Sequence, residues 1–298
     1  MERKTAQDFD QELLILFDAY VHGAIDRRRF LDKARKYAVG GVTAAMLLDQ
    51  LSPKFAEAQQ VPADDKRLTT ERVSFPSPKG YEKTSGYLVR PASARGPLPG
   101  VLVVHENRGL NPHIEDIARR IALDNFVAFA PDALAPLGGY PGTEDDARAL
   151  FQKLDQTKTR EDFVAAVDFL EGRRETTDRI GVVGFCYGGG ISHMLATRVP
   201  DLDAAVPFYG NSPDPAEAAK VKAPLLIHFA EKDDRINAAW PAYEAALKAA
   251  NVKYQAFTYP GTQHGFNNDT TPRYDESAAK LAWKRTIDFF NTHLRGQS

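Results

Sequence analysis

The pattern of apolar and polar positions changes character near residue 60. After it, short apolar runs alternate with helical spacings through to the end of the chain. Val73 to Pro76 and Thr84 to Val89 read as two opening strands, a hairpin at a sheet edge. Val101-Leu102-Val103-Val104-His105 is apolar without alternation, as expected of a central strand covered on both faces. Helical spacing follows from Pro112 to Leu123, with Asn111 as N-cap and Pro112 in the first helical position. Further strands fit Phe126–Ala130, Arg179–Gly184, Ala204–Phe208, Pro224–Ala230 and Tyr254–Tyr259. Helices fit Asp145–Leu154, Arg160–Glu171, Gly188 to about Arg198, Ala238–Ala250 and Asp275–Leu294. Alternation of this kind predicts an α/β fold in one domain, residues 61–298, with a mainly parallel sheet and helices on both faces.

Residues 1–60 are organised differently. Leu13, Leu14, Leu16, Phe17, Tyr20 and Val21 are spaced for an amphipathic helix over Phe9–Val21, which Gly23 is suited to end, and Asp26 is placed to cap a second helix from Arg27. The second piece, Asp26-Arg27-Arg28-Arg29-Phe30-Leu31, leads through Lys33-Ala34-Arg35-Lys36 into a weakly apolar run from Tyr37 to Leu48, and Ala56-Glu57-Ala58 lies beyond. This resembles a twin-arginine export signal with its cleavage site, which would make the protein periplasmic or exported. The long helical stretch before the arginines, Asp32 and Asp49 depart from that pattern. The other reading is a helical arm retained on a cytoplasmic protein, packing on the body or making a homo-oligomer. The apolar run is too short to span a bilayer as a helix.

Composition narrows the function. Thirty-eight basic against forty acidic residues leave a formal charge of -2, without the basic excess that nucleic-acid binding shows. There is one cysteine, so no intramolecular disulfide is available. Its context is what singles it out. Gly184-Phe185-Cys186-Tyr187-Gly188 follows an apolar strand and precedes a helix, the setting of a nucleophile elbow. A helix N-terminus aimed at the sulfur favours the thiolate, and the Tyr187 N–H is placed as one oxyanion donor. Asp233, after the strand ending at Ala230, and His264, in Gly261-Thr-Gln-His-Gly-Phe266, follow in the order nucleophile, acid, histidine. Three loops at one sheet edge then carry Cys186, Asp233 and His264, a set suited to covalent acyl transfer.

These residues carry a wider resemblance. From about 70 to 295 the chain resembles the dienelactone hydrolase family of α/β-hydrolases: Gly-Phe-Cys-Tyr-Gly-Gly at 184–189 is similar to the family's elbow, and the Asp233 and His264 loops are similar to its acid and base loops. His105-Glu106-Asn-Arg-Gly-Leu-Asn111 is similar to the segment after its third strand. The resemblance implies that Glu106 contacts the resting thiol and moves aside for substrate, and that the Asn107 N–H is the second oxyanion donor. It implies hydrolysis of a small ester or lactone through a thioester, with no cofactor. Pairing of Glu106 with Arg108 or Arg119 is the alternative role for that acid.

The family's two carboxylate-anchoring arginines have no counterpart here: Ala135-Pro136-Leu137 and Asn268 stand in their places. Arg108, Arg235 and Arg273 are candidate replacements, which puts dienelactone itself in doubt as substrate. Tyr140, Phe208, Tyr209 and Trp240 are candidate pocket walls. His105, His193 and His228 show no metal-ligand spacing, and no Gly-rich phosphate loop with an adjacent lysine is present. A non-catalytic small-molecule-binding protein on the same scaffold is the alternative function.

Overall fold

The computed structural model describes residues 4–295. Four helices precede the sheet: α1 (Gln11–Val21), α2 (Arg27–Ala34), α3 (Ala44–Leu51) and the single turn α4 (Phe55–Ala58). Side chains cap the first three. Asp10 accepts from Glu12 N, Asp26 from Arg29 N and Thr43 from Met46 N, which satisfies amides that have no acceptor inside the helix. Gly23, at φ 79°, turns the chain out of α1.

Leu13, Leu14, Phe17 and Tyr20 form the inward stripe of α1 and meet Phe30, Ala34, Leu47, Leu48 and Leu51 in a small core of their own. The rings of Phe17, Tyr20 and Phe30 lie within 6.2 Å of one another. The apolar side chains of the twin-arginine-like segment are thus used to hold α1, α2 and α3 together. Among the described residues no helix is long and apolar enough to cross a membrane.

The body follows as β1 (Leu68–Ser77), β2 (Glu82–Pro91), β3 (Leu98–Val104), α5 (Pro112–Leu123), β4 (Val127–Pro131), α6 (Glu144–Phe151), α7 (Gln156–Glu171), β5 (Thr176–Phe185), α8 (Tyr187–Arg198), β6 (Ala204–Phe208), β7 (Leu225–Lys232), α9 (Asp234–Asn237), α10 (Trp240–Ala249), β8 (Tyr254–Gln263) and α11 (Glu276–Leu294). The eight strands form one sheet in the order β1-β2-β4-β3-β5-β6-β7-β8. β1 and β2 pair antiparallel as the expected edge hairpin, β2 meets β4 antiparallel, and every other pairing is parallel. This is the mainly parallel α/β sheet that the alternation predicts.

The continuous apolar strands divide their side chains between two cores. Leu102, Val104 and Val182 face α7 and α8, with Ile227 and Phe229 extending that side toward α10. Val101, Val103, Val183 and Val206 face α5 and α11. Such two-sided burial is why these strands show no period of two. The strand order reverses at β3, which has β4 on one side and β5 on the other. A crevice opens there beyond the carboxyl ends of the strands.

Several boundaries differ from the sequence reading. β1 starts at Leu68, five residues before Val73, because Leu68 to Arg72 pair with β2 despite their polarity. β8 runs on to Gln263, and Lys232 pairs with Gln263 past a bulge. His264 therefore leaves the sheet directly rather than from a loop after Tyr259.

The linker between arm and body is tied by charge. Asp116 on α5 accepts from the Gln60 and Val61 amides, and Arg119 Nε donates to Val61 O.

Candidate active site

Cys186 sits between β5 and α8 with φ 55° and ψ −112°, a conformation that L-residues rarely adopt. Strain of this kind costs on the order of 1–3 kcal/mol and persists only where the surroundings enforce it. Here they do. The Cys186 N–H donates to Phe208 O at 3.0 Å, and Cys186 O accepts from Gly189 N and Gly190 N. Gly184 allows the close approach of strand and helix, since a Cβ there would lie 2.0 Å from Gly188 O. α8 begins at Tyr187, one residue earlier than the spacing suggests. Its first amide has no acceptor within the helix, which leaves it available at the sulfur.

Asp233 and His264 are buried, and His264 Nδ1 lies 2.5 Å from Asp233 Oδ2. The carboxylate accepts the Nδ1 proton and turns Nε2 toward the sulfur side. Burial alone would push the His264 pKa down, but the neighbouring Cys186 and the bond to Asp233 raise it to about 10.

A second histidine, which the sequence reading did not single out, comes from the arm. His22 Nε2 lies 3.2 Å from Cys186 Sγ. Its Nδ1 faces Asp18 O at 2.8 Å and Asp18 Oδ1 at 3.2 Å. The rings of His22 and His264 stand edge to face with centroids 4.8 Å apart. A ring nitrogen of each and the sulfur all lie within 4.8 Å of one another. Burial pushes the Cys186 thiol up; the two histidines outweigh it and bring the thiol down to about 6.

The contact with the thiol expected of Glu106 is thus occupied by His22. Glu106 accepts instead from Asn268 Nδ2 at 3.1 Å, and its partner is neither Arg108 nor Arg119. Asn268, standing where the family has an arginine, is fixed in turn by Thr270, whose N–H and hydroxyl both reach its Oδ1.

The three candidate anchoring arginines are all engaged by the arm. Arg108 is buried and donates to Val21 O at 2.8 Å and to Asn107 O and Oδ1, with Glu144 3.6 Å away. Arg273 Nη1 donates to Asp18 Oδ1 at 3.0 Å. Arg235 Nη2 lies 3.3 Å from His22 Nε2. The Asn107 side chain also donates to Val21 O. Carbonyls at a helix C-terminus carry partial negative charge, so the end of α1 is a natural partner for a guanidinium.

A cavity of about 570 Å³ opens over the sulfur. Its walls come from both parts of the chain: Phe17, Tyr20, His22, Leu48 and Phe55 from the arm, and Glu106, Tyr140, Glu144, Cys186 and His264 from the body among others. Tyr140 lines this cavity, with its hydroxyl on Glu144 Oε1 at 3.0 Å. Tyr209 packs its ring 5.0 Å from that of His264. Phe208 and Trp240 are not walls. Phe208 is fully buried against Phe185, His228 and Phe266, and Trp240 packs on Phe229, Tyr243 and Tyr254. Phe208 ends β6 inside the core, and Tyr209, just past the strand at φ 37°, is buried in the same cluster.

His105, His193 and His228 are structural. His105 Nε2 accepts from Ala133 N, and His228 lies between Tyr259 OH and Thr286 Oγ1. His193 packs edge-on against Tyr243 in the core.

Comparison with known proteins agrees with this architecture. The dienelactone hydrolase family profile matches residues 84–294, and a YqhI-like profile matches residues 1–40. The protein usf of Aquifex pyrophilus is 37% identical over 230 residues, covering 72% of this chain and 96% of its own. An Escherichia coli protein provisionally named a carboxymethylenebutenolidase is 32% identical over 257 residues, covering 81% and 93%. Among solved structures, a provisionally named dienelactone hydrolase from Klebsiella pneumoniae superposes with a TM-score of 0.64 at 30% identity, covering 74% of this chain and 98% of its own. The chain belongs to the dienelactone hydrolase family and is a hydrolase of the α/β-hydrolase fold.

Proposed function

We propose that this hydrolase cleaves small carboxylic esters or lactones through a covalent thioester on Cys186. The single observation that carries the reading is the buried Asp233–His264 pair at 2.5 Å beside a sulfur held at a strained elbow under a cavity. His264 Nε2 takes the thiol proton and Sγ attacks the carbonyl carbon. The oxyanion is received by the Tyr187 and Asn107 amides. Collapse breaks the bond to the leaving oxygen, which takes its proton from His264; in a lactone that oxygen stays tethered. Water, deprotonated by His264, then attacks the thioester and expels the thiolate. No step calls for a cofactor.

The substrate reading favours neutral molecules over carboxylates. The cavity is lined by Asp49, Glu106, Glu144, Asp145 and Asp146 against Arg27, Arg108 and Arg273. Arg108 and Arg273 are spent on Val21 O and Asp18, and Arg27 lies 3.4 Å from Asp145. A substrate carboxylate would enter an acidic chamber whose cations already have partners.

Cys186→Ala tests the reading with an activated neutral aryl ester. Loss of at least ~1000-fold in kcat is expected of a removed nucleophile, with the fold retained. Full turnover in the variant would place the chemistry on another residue, and no turnover in the parent would leave the scaffold as a binding protein.

A further inference from the structure

We propose that His22, backed by Asp18, is a second catalytic imidazole, by which the amino-terminal arm holds the Cys186 sulfur as a thiolate. The site would then be assembled from both parts of the chain. This rests on Cys186 being the nucleophile.

The geometry repeats that of Asp233 and His264. In each pair a carboxylate faces Nδ1 and a ring nitrogen lies near the sulfur, at 3.2 Å for His22 Nε2 and within 4.8 Å for His264. Asp18 and His22 are one helical turn apart, so their side chains share a face of α1 beside its apolar stripe. Two acceptors on Nδ1, Asp18 O and Oδ1, fix the proton there and leave Nε2 for Sγ at 3.2 Å.

The last turn of α1 is pinned from the body. Arg148 donates to Tyr20 O at 2.6 Å, and Asn107 and Arg108 donate to Val21 O. His22 is held at its distance by that frame, and the two residues lie within the segment matched as YqhI-like.

The charges around His22 favour its cation. It stands at a helix C-terminus, where an imidazolium gains from the aligned carbonyls. Asp18 faces Nδ1, and the Cys186 sulfur faces Nε2. Against protonation stand burial, the His264 ring and Arg235, whose Nη2 lies 3.3 Å from Nε2. Arg273 donates to Asp18 Oδ1, the same oxygen that faces His22 Nδ1, and Glu106 borders the same cavity. The balance is upward for the His22 pKa.

The proton inventory closes. His264 Nε2 receives the thiol proton and later delivers it to the leaving oxygen. His22 takes its Nε2 proton from solvent, donates it as a hydrogen bond to the thiolate and retains it through the cycle. When sulfur bonds to carbon its negative charge passes to the oxyanion, and the His22 bond relaxes until thiolate is expelled again.

Cys186 is the sole cysteine, so alkylation of the full chain by iodoacetamide reads this one sulfur. The midpoint pH of the alkylation rate reports ionisation, independent of access. In His22→Ala the midpoint should rise by roughly one unit, a ~10-fold fall in thiolate at a pH below both midpoints. His22→Gln, which keeps an amide donor but no charge, should shift it the same way by less, and Asp18→Asn should also raise it. Ester turnover should fall mainly in kcat.

Should His22→Ala not fold, His22→Gln carries the test. An unmoved midpoint in a folded His22 variant overturns the proposal. If that happens while Cys186→Ala abolishes turnover, hydrolysis at Cys186 stands and only the role of His22 falls. If Cys186→Ala keeps its turnover, the thioester reading at Cys186 fails instead.

Discussion

Asp233→Asn probes the site where it is best defined. The carboxylate lies 2.5 Å from His264 Nδ1 with both groups buried, so little water can replace it. A charge-assisted hydrogen bond contributes about 1.5–3 kcal/mol, and the imidazolium formed during acyl transfer loses its counter-charge as well. Asparagine keeps the shape and can still accept from Nδ1 through its carbonyl oxygen, which limits the loss. The expected cost is about 2–4 kcal/mol of transition-state stabilisation, or roughly 30- to 1000-fold in kcat/KM. The assay is steady-state hydrolysis of a neutral aryl ester across pH, with thermal unfolding as a control. The alkaline limb of the profile should also move down, because His264 loses a group that raises its pKa. A folded variant within about threefold of the parent would refute the assignment of Asp233, since no buried carboxylate that orients a working base is so dispensable.

Gly184→Ala should lower the melting temperature and activity together, since its Cβ would meet Gly188 O at 2.0 Å and Gly188 C at 2.4 Å. Backbone cannot yield as a side chain can, so the cost should reach about 3 kcal/mol, the upper end for overpacking; a parental melting temperature would contradict the elbow's packing. The pH dependence of kcat/KM should rise through about 6, where the thiol ionises, and fall through about 10, where His264 loses its proton. Stability should follow the same window. A thiol pKa depressed by folding contributes stability that is lost as pH falls through about 6, and a raised histidine pKa contributes stability that is lost as pH rises through about 10. Melting temperature against pH checks both limbs in the parent and in Cys186→Ala, in which both should flatten.

What was legible in the chain is what local backbone demands dictate. Gly184 and Gly188 flank a position where strand and helix nearly touch, and no other residue type fits, so the elbow is written in five consecutive residues. Asp233 lies just past the plain apolar run of β7, and Asn111 and Asp26 cap helices as their side chains predict. The arm's role was not legible because it depends on a contact between His22 and Cys186, 164 residues apart. One local signal was present: an aspartate one helical turn before a histidine at the helix end, with the apolar stripe on another face. Glu106 is a similar case, since its partner Asn268 lies 162 residues away. Phe208 and Trp240 show the limit of reading aromatics near a motif: both are taken up by core packing, Phe208 against Phe185 and Phe266 and Trp240 against Phe229 and Tyr243, contacts that only the tertiary fold decides.

The most direct test of the central claim is to trap the acyl-enzyme. The full chain is mixed with an activated aryl ester, quenched in acid within the first turnovers, and digested for mass spectrometry. The account predicts the acyl mass on the peptide bearing Cys186, labile to hydroxylamine as a thioester and missing in Cys186→Ala. Turnover with the acyl group on another residue, or with the same rate in Cys186→Ala, would contradict it.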